Sequence, residues 1–223
     1  IPKTIEAIPS EETLIGEIPA FYHDLPSQGI IYADLSFNCY VFTEADYPYL
    51  SLLASLLLKY GTKYYSYDDF SQEVDCSTGG IGAGLAIFSS QTRSSGVGTR
   101  LYIKAKVMKD KLPELQKLLT EVLCEIDFTD KRRIKELLGS MTSRLKTSIL
   151  NNGDRTARGV LLPALSPSGY LSSLVSGPKY LEFLKKITTE FESDSSILIN
   201  KLLSLKKVVF EQAKLTFNIS ADK

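Results

Sequence analysis

Histidine is nearly missing from this sequence: His23 stands alone among 223 residues, beside two methionines, three cysteines and no tryptophan. That scarcity excludes several chemistries at once. A histidine-based zinc hydrolase needs two imidazoles about one helical turn apart, a third ligand and an open position for water, and one histidine cannot supply them. A Ser-His-Asp or Cys-His arrangement would have to use the same His23, and no G-x-S-x-G elbow is present to expose a serine nucleophile. His23 sits beside Asp24 at the end of a predicted strand, where an exposed or hydrogen-bonded structural imidazole is the ordinary outcome. An independent enzyme built around His23 is the least favoured reading.

A charge excess is missing too. Lys plus Arg and Asp plus Glu number 26 each, so no net field draws the chain to nucleic acid or to a membrane surface. The longest apolar stretch, residues 50–58, is about half of what a bilayer-spanning helix needs. Cys39, Cys76 and Cys124 are odd in number and form no C-x-x-C pair, which reads as buried thiols in a reducing compartment, cytoplasm or organelle matrix, with neither disulfide nor thiolate metal site. The start, Ile1-Pro2-Lys3, has no Met, no charged n-region and no apolar h-region, so the chain reads as a piece of a longer one.

What is present is a globular composition, 43% apolar and 23% charged, long enough to bury a core without disulfide or metal staples. Residues 1–19 hold three prolines and no clear period, and are expected to be an extended lead-in to a single domain over 20–223. Residues 20–25 and 29–42 read as two strands of a hairpin around the turn Pro26-Ser27-Gln28-Gly29. From Asp46, a predicted N-cap, apolar residues recur at three and four up to Tyr60, and Gly61 closes that helix. A second helix follows over 66–76, started by Ser66 with Asp69. Residues 77–92 and 98–109 return to period two, with Leu101, Ile103, Ala105 and Val107 facing one way and Lys104 and Lys106 the other. Helices are expected over 111–126, capped by Asp110, and 130–151, capped by Thr129 or Asp130. A broken helix and loop is expected over 152–177, and a long helical tract over 178–206 interrupted near 192–196. The strand 213–222 closes the chain. Strands in pairs and helices in pairs argue for an α+β domain, a mostly antiparallel sheet with its helices packed on one face.

Three groups invite a functional reading. Gly79, Gly80, Gly82 and Gly84 follow G-G-x-G-x-G and lead into a strand, so no helix N-terminus would meet a phosphate. Those glycines are expected to permit a close neighbour, a bulge or a bend, or else to open an edge to an extended peptide. Lys131, Arg132, Arg133 and Lys135 lie where positive charge opposes a helix dipole, and read as a solvated face or a contact for an acidic partner. Tyr60, Tyr64, Tyr65 and Tyr67 straddle an interhelical turn, where aromatic bodies fill a core corner.

Four segments, in order over about 200 residues, carry a resemblance: YHDLPSQGIIYADLSF at 22–37, STGGI at 77–81, GPKYLEFLKKI at 177–187 and LTFNISADK at 215–223. As a set they resemble the insulinase (pitrilysin) family of inverted-motif zinc metallopeptidases, in its presequence-protease branch with the falcilysin-like enzymes. The resemblance implies a parent of four such domains in two halves enclosing a chamber, with zinc held in the first domain by an H-x-x-E-H helix and a distal Glu. This sequence looks like the third, non-catalytic domain. Matching Gly61 to the glycine that ends the family's zinc helix puts Leu52, Ser55 and Leu56 where His, Glu and His would be, and Glu136 near the distal Glu. One carboxylate without imidazole partners cannot hold zinc, so this chain is expected to carry no metal and to be inert alone.

The function so implied is that of a non-catalytic domain of a zinc-dependent, peptide-degrading metalloendopeptidase, part of the C-terminal half of its chamber. Its expected partners are the other domains of the parent chain and the parent's peptide substrate. The alternative is a scaffold subunit related to the family and without proteolytic role. A separated domain is also expected to expose apolar surface and pair with a second copy.

Overall fold

Alternation in residues 97–108 makes the strand on which the sheet is organised: Leu101, Ile103, Ala105 and Val107 are buried while Lys104 and Lys106 are exposed. The computed structural model describes residues 8–89, 96–126 and 128–222. Six strands, β1 (Glu11–Ile15), β2 (Ile18–Asp24), β3 (Ile30–Asn38), β4 (Ile81–Ser89), β5 (Val97–Met108) and β6 (Leu215–Ala221), form one sheet in the order β1-β2-β6-β3-β5-β4. Every neighbouring pair is antiparallel except β2 with β6. The stretch read as an extended lead-in thus contributes an edge strand, β1.

The expected hairpin of residues 20–25 with 29–42 does not form as a bonded pair, because β6 lies between β2 and β3. The connecting loop therefore spans two strand spacings, about 10 Å. Its backbone donors are taken by the end of the inserted strand: the Ser27 and Gly29 N–H groups each donate to the Asp222 carboxylate at 2.7 Å, and the Leu25 N–H donates to the Ala221 carbonyl at 3.2 Å. Asp222 titrates below the usual carboxylate range because those N–H groups, Gly29 first and then Ser27, favour its charged form.

The helices are α1 (Tyr47–Leu56), α2 (Tyr67–Ser77), α3 (Leu112–Cys124), α4 (Lys131–Asn151), α5 (Gly153–Leu165), α6 (Pro167–Leu174), α7 (Gly177–Ser193) and α8 (Ser195–Lys207). Ser66 caps α2 through the Asp69 N–H at 3.2 Å, and Asp130 caps α4 through the Arg133 N–H at 3.0 Å, as their spacing predicts. Asp110 caps nothing: residues 109–111 form a short 3-10 turn before α3. Residues 152–177 hold two helices where a broken helix and loop is expected, since Ser166 restarts the chain by accepting the Gly169 N–H at 3.0 Å. No helix among the described residues is long and apolar enough to cross a membrane.

This is an α+β fold with its helices against one face of the sheet. Leu35, Phe37, Leu101 and Ile103 turn into that layer and are buried. The same core holds Leu50, Leu52, Leu53, Leu56 and Leu57 of α1 and its C-terminal turn, all without exposed surface. Each such side chain contributes about 1.5–3 kcal/mol. Of the cysteines expected to be buried, Cys39 alone is, and burial pushes its thiol up to about 11. Cys76 and Cys124 lie on exposed helix faces.

Asp46 does not cap α1 as its position predicts. Its carboxylate accepts from the Thr43 N–H at 2.9 Å and the Thr43 hydroxyl at 2.7 Å, and it bonds the Lys201 ammonium of α8 at 2.6 Å. Burial pushes this carboxyl up, but the Lys201 and Thr43 bonds outweigh it and hold it below the ordinary range. Asp46→Ala is therefore expected to cost about 1–2 kcal/mol at neutral pH. A carboxyl depressed in the folded state stabilises above its unfolded value of about 3.9 and loses that contribution as the pH falls through the folded one. Urea unfolding at pH 7 and pH 3 should show the gap between protein and variant closing in acid.

Candidate functional site

At 100° per residue the buried positions of α1 cover well over half its circumference, leaving Ser51 and Ser55 on the remaining strip. Leu52 and Leu56 point into the core, and the Ser55 hydroxyl donates to the Ser51 carbonyl at 2.9 Å. The helix packs against β4 on one side and α8 on another. The GPKYLEFLKKI segment supplies part of that cover, with Phe183 edge-on to Tyr49 at 4.8 Å and stacked with Tyr180 at 5.7 Å. Glu136 lies on α4 and is held by its own helix, 3.0 Å from Arg132 and 3.7 Å from Arg133. It reaches the end of α1 only through Arg133, whose Nε donates to the Lys59 carbonyl at 3.1 Å. Two alkyl groups, a hydroxyl already bonded and a carboxylate between two guanidinium groups do not fit a zinc ion. Among the described residues, no group of three or more His, Cys, Asp and Glu stands together as a metal ligand set.

The other sequence candidates resolve into structure. His23 Nε2 lies 2.7 Å from Asn218 Oδ1 and its Nδ1 2.9 Å from Ser10 Oγ, so both ring nitrogens are engaged in tying β2 to β6. The basic run on α4 is paired: Arg132 and Arg133 with Glu136, and Lys135 with Glu192 of α7 at 2.7 Å. Arg133 also lies over the Tyr67 ring at 3.8 Å. Tyr60 is buried against Phe128, and Tyr65 packs on Phe70 while its hydroxyl accepts from Lys117 at 2.8 Å. Tyr64 alone of that group points out.

The glycines lead to a different place. β4 is the last strand of the sheet, and no strand pairs with its outer side among the described residues. At its entry Gly79 and Gly80 stand opposite one residue: the Gly79 N–H donates to the Lys106 carbonyl at 2.8 Å and the Lys106 N–H to the Gly80 carbonyl at 3.2 Å, a one-residue bulge. Bonded pairs alternate beyond it, so Gly82 and Gly84 turn their backbone groups to β5 while Ile81, Ala83 and Leu85 turn theirs outward. The close neighbours that the glycines admit are side chains of β5. A Cβ at Gly79 would lie 2.8 Å from Lys106 Cγ, and one at Gly84 would lie 2.6 Å from Tyr102 Cζ.

Lys106 and Tyr102 belong to the sheet face that no helix covers. With Tyr32, Asp34, Lys104 and Asn218 they make it polar and aromatic, and a concavity of about 590 Å³ opens between Tyr32, Gly80, Lys104, Lys106 and Asn218. Lys104 sits over the Tyr102 ring at 5.1 Å and 3.8 Å from Asp34, while Lys106 makes no ion pair among the described residues. Sequence reasoning placed the two lysines opposite the core residues of β5 without treating them as a site. Their alternation was visible, but the bare face opposite the helices was not.

A fold of this kind, a helix-backed sheet with a leucine-packed α1, defines the chain as a non-metal-binding α+β domain. Residues 1–187 match the family described as associated with peptidases of family M16, subfamily C, and the chain belongs to that family of associated domains. It is 29% identical over 99% of its length to "Protein HypA" of Clostridium perfringens, and 25% identical over all of it to "Presequence protease 1, chloroplastic/mitochondrial" of Arabidopsis thaliana. It is 23% identical over 92% of its length to "Presequence protease, mitochondrial" of Xenopus laevis. It covers 22%, 20% and 20% of these three, about a fifth of the curated relatives' length. A solved structure, a conserved protein from Enterococcus faecalis V583, shares the fold with a TM-score of 0.57 at 13% identity, over 92% of this chain and 47% of that one.

Leu52→Ala is expected to cost about 2–5 kcal/mol in urea unfolding, as for a leucine deleted from a filled core. The triple variant L52H/S55E/L56H, which writes the inverted zinc motif into α1, is expected to lose cooperative unfolding because it buries polar groups among leucines. Thermal melts followed by circular dichroism, with zinc content measured by equilibrium dialysis, check both effects. One tightly bound zinc in a folded triple variant is the contrary result.

Proposed function

We propose that this domain is a non-catalytic part of a longer, zinc-dependent, presequence-protease-like metalloendopeptidase. In that protein it occupies the third position and forms part of the wall of the chamber's C-terminal half. The observation that carries the reading is the pairing of family membership with an α1 that offers no metal donor. The polar sheet face, with Lys104, Lys106, Tyr32 and Tyr102, is the side turned to substrate, and the free edge of β4 at Gly79, Gly80, Gly82 and Gly84 is where an extended peptide passes. Zinc belongs to the N-terminal domain of the parent. The presequence-protease relatives and their fivefold greater length support this reading over the scaffold alternative.

The test compares the 223-residue chain with its full-length reading frame. The chain alone is expected to hydrolyse no unstructured peptide with or without added zinc, and the full-length protein to hydrolyse it and lose that activity to a chelator. Zinc-dependent cleavage by the chain alone overturns the reading. A full-length protein without an H-x-x-E-H helix and without peptidase activity returns it to the scaffold alternative.

The other domains of the parent also need a surface to pack on. α5 buries none of its residues and exposes Val160, Leu161 and Leu165, with Leu150 exposed at the end of α4. Apolar side chains so grouped on a helix mark an interface. The separated chain is expected to self-associate through them, and Leu161→Asp with Leu165→Asp to yield a monomer by light scattering with an unchanged thermal melt.

A further inference from the structure

We infer that the free edge of β4 selects extended peptide segments carrying acidic side chains at alternate positions, read by Lys104, Lys106 and Tyr102. The inference rests on the edge-pairing reading above and adds to it the chemical class of the peptide. Backbone groups of Ile81, Ala83 and Leu85 face outward and offer the ladder for a new strand. Side chains alternate between faces, so every second residue of an added strand would lie on the uncovered face, beside Gly82 and Gly84.

At those two positions β4 puts no side chain between the peptide and β5. Gly82 has no heavy atom within 4 Å of where a Cβ would be, and the space over Gly84 is taken by the Tyr102 ring reaching across from β5. The stem of Lys106 crosses Gly79 in the same way. The groups that meet a peptide side chain there are thus two ammonium groups and a phenol hydroxyl. Lys106 has no carboxylate partner among the described residues, and that of Lys104, Asp34, stands 3.8 Å away on β3, on the side remote from the edge. Two cations against one carboxylate leave this end of the face with an unmatched positive charge, which a carboxylate-bearing peptide would complement. A peptide with basic side chains at the same positions would meet like charge.

The experiment uses the 223-residue chain and fluorescein-labelled octapeptides alternating Thr with Glu, Gln or Lys, read by fluorescence anisotropy at about 50 mM salt, where screening is weak. The Glu peptide is expected to bind about fivefold more tightly than the Gln peptide, the amount two partly exposed ion pairs supply, and the Lys peptide more weakly than either. K104Q/K106Q should erase the preference while leaving Gln-peptide binding and the thermal melt unchanged, and K104R/K106R should keep it. Methylating alternate backbone nitrogens of the Glu peptide should abolish binding in one of the two phases, where the methyl groups fall on the ladder side. Equal affinities for all three peptides, still sensitive to methylation, overturn the acidic selection and leave the edge-pairing reading standing. Binding of the Glu peptide that ignores methylation in both phases, or no binding by any peptide, overturns the edge pairing and this inference with it.

Discussion

Leu50, Leu52, Leu53, Leu56 and Leu57 have no exposed surface, and a helix with leucine over most of its circumference persists in water only if something packs on each side. That requirement organises the domain. β4 and β5 close α1 from one direction, and α6 and α8 from others. Asp46 at its start is tied to Lys201 of α8 at 2.6 Å, which fixes where the last helix lies along the first. A metal ligand set needs donors and an opening for water. A leucine helix enclosed on all these sides has neither, so stability and metal chemistry compete for the same face of α1, and here stability holds it.

The parts of the fold that were legible in sequence are those whose signal is local. The alternation of β5, the cap of α2 by Ser66 and the cap of α4 by Asp130 each depend on residues within a turn or two of one another, and each is found as expected. The insertion of β6 between β2 and β3 is the opposite case. The turn at Pro26-Ser27-Gln28-Gly29 carries every local mark of a hairpin, yet the Ser27 and Gly29 N–H groups are satisfied by Asp222, near the other end of the sequence. Strand partners chosen over such a separation leave no periodic trace in either segment. Asp46 failed as a predicted cap for a related reason, since a carboxylate that also meets a lysine of α8 is positioned by tertiary contact as well as by its own helix.

The candidate site divides along the same line. Positions 52, 55, 56 and 136 could be found only by resemblance, and the structure gives each a use in packing or in surface ion pairs. The glycines at 79, 80, 82 and 84 were visible as an anomaly in a strand pattern, but their cause was not, because the atoms that need the room belong to Lys106 and Tyr102 on the neighbouring strand. A missing side chain records that something passes close by without recording what. Only the register of β4 against β5, Gly84 opposite Tyr102 and Gly82 opposite Lys104, supplies the identity.

That register gives the sheet two faces with different obligations. The helix-covered face must exclude water, so it carries Leu101, Ile103, Leu35 and Phe37 in adjacent strands. The bare face is released from packing and can carry charge, and it does so unevenly: Arg100 in the middle of the sheet reaches the hydroxyls of Ser36 and Thr216, while toward the edge Lys106 has only the glycines beneath it. An exposed edge strand invites unspecific pairing, and a lysine placed beside it is one of the ordinary defences. The same lysine makes the edge selective when pairing is wanted, because a partner strand must then present a side chain that tolerates, or matches, an ammonium group at that point. Protection and selection are therefore one arrangement at β4, and substituting the lysines would alter both together.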